Sequence, residues 1–312
     1  MKAIRFSASR FAFPYAVGLQ QGSALIAVFW MIAILGMVMF SAGAMLENDS
    51  RSARLMRDRA LAKRNAEKGL EIGRHPRMEL HDPLLYGDGY TVTLTTEEAR
   101  FNINSLLLNS DRLILRRIFT HWGFKPEFSA RVIDALKDWV DADGNVSLNG
   151  AEKREYEKTG LEGLPFNRPF KVLDDMLLVR DFDIVNATYP GWRDWFTVFG
   201  DGKLDVNEAR SEFIAVLADV PVERLRALDA LRAGRDGARG TIDDGKISSA
   251  VQVAQLLNVF QPKIVQELQQ WVQFQGPIRR IESIGSYNEL SRKLLLITQN
   301  NQTLWRGEIP AK

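Results

Sequence analysis

The 312-residue chain has no cysteine and only three histidines, His75, His81 and His121. Without a thiol, no disulfide can staple the fold and no thiolate can act as nucleophile or metal ligand. The histidines are scattered. His75 and His81 share a loop but lack the cysteines or spaced third histidine of a zinc site. No Gly-Lys-Ser/Thr motif follows a strand, so Gly234, Gly237, Gly240 and Gly245 read as a flexible loop and not as a phosphate cradle. A large charge excess is missing too. The formal charge is +2, and Lys2, Arg5 and Arg10 of the first 22 residues supply more than all of it, so a chain without them carries −1. Binding of nucleic acid is not implied.

One long hydrophobic run is present. Ser23 to Leu46 is a stretch of 24 residues without a charge. As a helix it reaches ~36 Å, against a hydrocarbon core of roughly 30 Å, so it is long enough to span a membrane. The three cations ahead of it keep the leader cytoplasmic and send the large C-terminal part across. From Glu47 to Arg74 the helical period continues in different chemistry. Leu55, Ala62, Ala66, Leu70 and Ile72 or Gly73 form an apolar stripe, while Arg51, Arg54, Arg57, Arg59, Lys63, Arg64 and Lys68 cover the remainder.

A basic leader ending in Gly22, an apolar helix and an amphipathic continuation resemble the type IV prepilin class. That likeness implies cleavage by a prepilin peptidase after Gly22, leaving Ser23 as the new N-terminus. Most of the class carry a glutamate at the fifth mature position, where this chain has Ala27. A carboxylate in lipid needs a neutralising partner, such as the terminal ammonium of a neighbouring subunit. A subunit without it offers nothing to a neighbour above. In this departure the chain resembles the minor pseudopilin K family of type II secretion systems, which is thought to cap the pseudopilus.

The head shows several signatures. Tyr90 to Leu94 alternates as a strand does. The segment Thr96 to Leu106 resembles the family's acidic turn followed by an Arg-apolar-Asn-apolar-Asn strand. In such a strand Phe101 and Ile103 face the core, while the amides of Asn102 and Asn104 are free to clamp loop backbone beside Arg100. Lys203-Leu204-Asp205-Val206-Asn207 repeats this pattern 103 residues later, with Asp205 and Asn207 in the asparagine positions. Helices are expected at 109–122, 127–140, 172–179, 211–217 and 222–231, and strands at 286–289, 293–298 and from Thr303 to Arg306.

Between helices lies Asp141-Ala142-Asp143-Gly144-Asn145-Val146-Ser147-Leu148-Asn149-Gly150-Ala151-Glu152. Several oxygen donors in a turn suit a hard cation such as calcium. It is not an EF-hand, because the sixth position is Val146 where that loop needs glycine. An Asp-Trp-apolar-Asp-x-Asp run from Asp138, then Gly150-Ala151-Glu152 and Tyr156, resembles the family's calcium loop. That likeness assigns Asp141, Asp143 and Glu152, with Asn145 through a side-chain or backbone oxygen. A solvated acidic turn without an ion is the competing reading. Asn167-Arg168-Pro169-Phe170 resembles the family's next turn, but Asp181 replaces a glycine expected to be left-handed.

These features imply an α+β fold. Its expected parts are a leader at 1–22, a transmembrane helix at 23–46, an amphipathic continuation at 47–74, a pseudopilin-like antiparallel head at 75–104 and 203–312, and a mostly helical insertion at 105–202. The resemblance implies a non-enzymatic minor pseudopilin in the inner membrane, single-pass, with a periplasmic C-terminal domain. Implied partners are two smaller minor pseudopilins, the major pseudopilin, the prepilin peptidase and the inner-membrane secretion platform. A type IV pilus minor pilin is the alternative, followed by a membrane-anchored periplasmic hydrolase, for which no catalytic constellation emerges.

Overall fold

The computed structural model describes residues 21–79, 82–108 and 112–309. The leader up to Gln20, His81 and the expected helix start at Asn109 lie outside the described residues. The chain divides into two compact units, one ending at Asp58 and the other comprising residues 59–312.

Helix α1 (Gln21–Gly73) begins in the first unit and ends in the second. Gly22, Ser23 and Ala27 all fall within it. The stretch from Leu25 is long and apolar enough to cross a membrane, and its large side chains, such as Phe29, Trp30 and Phe40, are exposed. No glycine-proline break interrupts the helix, and its own backbone bonds satisfy the peptide groups, as lipid requires. In the second unit the expected stripe is buried at Ala62, Ala66 and Leu70, whereas Leu55, assigned to that stripe from its spacing, is exposed in the first unit.

Strands β1 (Tyr86–Gly87) and β2 (Tyr90–Thr96) follow, then a 3-10 turn at Glu97–Ala99. The excursion begins with β3 (Phe101–Asn102), α2 (Ile103–Leu108), α3 (Leu113–His121), α4 (Pro126–Val140) and α5 (Lys153–Glu157). A 3-10 helix at Leu173–Leu178, α6 (Phe182–Thr188) and β4 (Phe196–Thr197) close its first half. The second half contains β5 (Leu204–Asp205), α7 (Ser211–Ala218), α8 (Arg226–Arg232), α9 (Ala250–Leu256), α10 (Pro262–Trp271) and β6 (Val272–Gln273). The chain then returns as β7 (Ile278–Tyr287), β8 (Leu290–Gln299) and β9 (Gln302–Ile309).

The main sheet has the order β1-β2-β7-β8-β9, with every pairing antiparallel. Its α1-facing side buries Val92, Leu94, Ile281, Leu294 and Leu296 against Ala66 and Leu70. The sheet can come this close to the helix because Gly69, Gly73 and Gly285 carry no side chain at the contact. A second, larger core fills the excursion around Trp139, Trp192, Trp195 and Phe213.

Several expectations are corrected. The asparagine strand is short: β3 ends at Asn102 and Ile103 already begins a helix, because the Asn102 Oδ1 accepts the Ser105 N–H (3.2 Å) and caps that helix. Neither β3 nor β5 joins the main sheet; each forms a two-stranded parallel pair, with β4 and β6 respectively. The helical excursion therefore does not close at 202, and helices continue to Trp271. The expected strand at 286–289 belongs instead to β7, which starts at Ile278, while Asn288 turns into β8 with a φ of 51°. Finally, Asp181 keeps the left-handed backbone without a glycine, at φ 64°.

Candidate functional site

The two asparagine motifs do the same work twice. Asn104 donates to the Phe170 carbonyl (3.0 Å) and accepts the Phe170 N–H (2.8 Å). Asn207 repeats this with Ile247, at 2.9 Å in both directions, and donates a further bond to the Phe274 carbonyl (2.8 Å). Asn102 donates to the carbonyls of Phe199 and Gly200 (3.0 and 2.8 Å). In the equivalent place Asp205 accepts the N–H groups of Asn207 (2.9 Å) and Gly276 (2.7 Å). A side-chain amide offers both a donor and an acceptor, so it can mimic one strand partner for a loop that has none. The excursion is thus two similar halves, each opening on a short strand whose polar side chains fasten its own distant loop.

Arg100 lies beside this entry, 3.9 Å from Glu97 and 4.0 Å from Glu282. Burial lowers its pKa, and neighbouring Arg280 lowers it further. Arg280 bridges Glu97 (2.8 Å) and Glu282 (2.7 Å), and Lys293 completes the network at 2.5 Å from Glu282.

The acidic loop leaves the C-terminus of α4 and returns into α5. Asp138 is fully buried and accepts the Ser147 N–H (3.0 Å), and Asp134 accepts both the backbone and side-chain N–H of Asn149 (3.1 and 3.0 Å). Together with Arg112, which pairs with Asp134, these bonds fix the middle of the loop on the helix. Asp143 accepts the Asn145 N–H (2.8 Å), and both residues are exposed. Glu152 is only 4% exposed and its backbone N–H is taken by Glu155 (3.2 Å). Asn167, whose own φ is 46°, reaches back to donate to the Asp143 carbonyl (2.7 Å).

Among the described residues, no set of three or more carboxylates or imidazoles stands gathered as a metal cage. Three buried oxygens in this region nevertheless have no hydrogen-bond partner: Asp141 Oδ1, Glu152 Oε1 and Asn167 Oδ1. Buried polar atoms are rarely left this way. Burial, then the charges of Asp138, Asp141 and Asp143, push Glu152 up to about 7. Burial followed by Asp138 and Asp143 also raises Asp141. Such a surplus of negative charge and unsatisfied oxygen suits a hard cation. Of the four residues assigned from sequence, Asp141 and Glu152 carry orphaned oxygens, whereas Asp143 and Asn145 do not. Asn167 went unassigned as a ligand, although its turn was visible in the sequence.

The family description "Type II secretion system (T2SS), protein K" matches residues 99–198, the span from the Asn102 clamp through the acidic loop to β4. The chain is 25% identical over 256 residues to the Type II secretion system protein K of Klebsiella pneumoniae, covering 69% of this chain and 75% of that one. It is 27% identical over 201 residues to the protein of the same name from Pseudomonas aeruginosa, covering 59% of each. The chain is similar to the type II secretion system protein K family, through the matched span and through both relatives. Its fold is similar to a chain in the crystal structure of the GspK-GspI-GspJ complex from the type 2 secretion system of enterotoxigenic Escherichia coli. The TM-score is 0.61 at 16% identity, over 84% of this chain and all of that one. The protein K architecture of apolar N-terminal helix, antiparallel sheet and large helical insertion is therefore the architecture found here.

Proposed function

We propose that this chain is a non-enzymatic minor pseudopilin at the tip of the type II secretion pseudopilus, where it initiates or caps assembly with two smaller minor pseudopilins. The observation that carries this reading is Ala27. The first apolar helix of a filament subunit would ordinarily present a carboxylate at this depth to a neighbour, and alanine presents none. The helical excursion, running to Trp271, adds bulk that disfavours a subunit repeated along a shaft. The similar solved chain comes from a complex named for GspK, GspI and GspJ, which supports a three-part assembly here.

On this reading a prepilin peptidase cuts after Gly22, and α1 stays in the inner membrane with the remainder in the periplasm. The major pseudopilin and the inner-membrane platform are then the wider partners. Calcium held by Asp141, Glu152 and Asn167, with Asp143 and Asn145 nearby, would neutralise close carboxylates and tie the acidic loop to its helix. Its role would be structural.

The test is co-expression of the full chain with candidate small pseudopilins and the peptidase. Mass spectrometry should find Ser23 at the N-terminus, and the three proteins should elute together from detergent in fixed ratio. A chain that begins beyond Leu46, or that elutes alone beside every cognate companion, overturns the reading.

A further inference from the structure

The chain crosses between the main sheet and the helical excursion twice, after β2 and before β7, and Glu98 touches both crossings and the linker between β4 and β5. It sits in the entry turn Glu97–Ala99 and is 1% exposed. Both its carboxyl oxygens lie 3.3 Å from the N–H of Ile278, the first residue of β7. At the exit crossing, a Cβ built on Gly276 would stand 2.6 Å from Glu98 Oε2, so only glycine fits against the carboxyl. In the linker between β4 and β5, Gly200 has φ +89° and lies against the same side chain, 3.3 Å from a built Cβ. Glu97, its neighbour, fastens the same seam from the other side: Thr197 Oγ1 donates to Glu97 Oε2 (2.5 Å) and Arg280 to Glu97 Oε1 (2.8 Å).

The charges around Glu98 are mostly of its own sign. Glu97 shares its turn and Asp201 comes from the β4–β5 linker. Asp205 of β5 reaches the same exit segment by accepting the Gly276 N–H (2.7 Å). The cations of the seam are committed elsewhere, Arg280 to Glu97 and Glu282, and Arg100 to the same two carboxylates at longer range. Glu97 is thus compensated and Glu98 is not.

We propose that Glu98 is a proton-controlled latch on this seam, drawing the two crossings and the β4–β5 linker together when its carboxyl is neutral and loosening the excursion from the sheet when it ionises. Burial is the main cause that pushes Glu98 up to about 7; the N–H bonds oppose this, and Glu97 and Asp201 add to it. A group raised in the folded state stabilises fully below its unfolded value, near 4.5, and loses that contribution as pH rises through about 7. The latch therefore closes toward acid and opens toward alkali.

Hydrogen exchange on the full chain in detergent, corrected for intrinsic chemical rates, tests this at the segments 198–202 and 274–278. Between pH 4.5 and 7 the opening of these segments is expected to rise by up to about tenfold per unit and to level off above a midpoint of about 7, while the β7–β8 pairing stays protected. Glu98→Gln, a neutral isostere, should hold the seam closed and independent of pH. Asp201→Asn leaves Glu98 in place and removes a like charge, so it should lower the Glu98 pKa and move the midpoint to lower pH. Protection that is flat with pH in the wild type, a slope that persists in Glu98→Gln and so belongs to Asp205, or a midpoint unmoved in Asp201→Asn overturns the latch.

Discussion

Gly285 of β7 lies directly against Ala66 of α1: a Cβ placed on Gly285 would overlap the Ala66 backbone nitrogen and the Ala62 carbonyl. Gly285→Ala therefore forces the helix and the sheet apart at a point where Ala66 and Leu70 are fully buried. Overpacking of this kind costs about 1–3 kcal/mol. For a unit of this size the melting temperature should fall by several degrees, with each kcal/mol worth roughly 2–4 °C. An unchanged melting temperature would mean that the helix does not pack here as described.

The Asn104 and Asn207 clamps should be costly to remove for the same reason. Each exchanges a donor and an acceptor with one loop residue, Phe170 or Ile247, so truncation to alanine strands two backbone groups in a protein interior. That penalty is about 1–3 kcal/mol, and Asn207→Ala should stand at the upper end because it also loses the Phe274 bond. Denaturant unfolding measures both. Asn→Asp at either site should destabilise as well, since a carboxylate cannot donate; a neutral Asp variant would contradict the hydrogen-bond assignment.

These clamps also mark how far the sequence could be read. The offset of 103 residues revealed the repeat, and the chemistry of an amide suggested loop clamping, which is what the structure contains. What local pattern could not show was that Asn102 caps a helix one residue later, so a strand was expected to run on. Strand β7 was misplaced for a different reason. Arg280 and Glu282 look like surface charges in sequence, yet they are mostly buried because Glu97 and Lys293 neutralise them from other strands and turns. In the acidic loop, Asp141 and Glu152 were singled out through the family likeness, and both carry orphaned oxygens. Asn167 was not, because it comes from a separate turn and meets the loop only through the fold.

The same ion network predicts the acid limb of stability. Burial opposes ionisation of Glu282, but the charge of Arg280 and the bonds from Lys293 and Arg280 outweigh it and hold the carboxyl down to about 2. A carboxyl depressed in the folded state contributes stability above its unfolded value, near 4.5, and that contribution disappears as pH falls toward 2. The whole effect is at most about 3 kcal/mol. Glu282→Gln should lower stability at pH 7 and flatten the wild-type decline between pH 4.5 and 2. A variant that keeps the full decline would place the acid sensitivity in other carboxylates.

Calcium offers the sharpest check on the acidic loop. Three orphaned oxygens, on Asp141, Glu152 and Asn167, carry a desolvation cost that a bound cation would relieve. Any ligand that binds only the folded state stabilises it by mass action, about 2.7 kcal/mol when present at a hundred times its dissociation constant. Calcium added to chelator-treated full chain should therefore raise the melting temperature, and magnesium should do so less because it demands stricter octahedral geometry. Glu152→Gln and Asp141→Asn each remove a charge from the set and should abolish most of that rise. Without calcium, the same variants should be neutral or slightly stabilising, since they relieve the crowding that pushes Glu152 up to about 7. Asp143→Asn should have the smaller effect, its side chain being exposed and already bonded to the Asn145 N–H. If calcium leaves the melting temperature of the wild type unchanged, the loop is an ion-free acidic turn, and its orphaned oxygens require another partner.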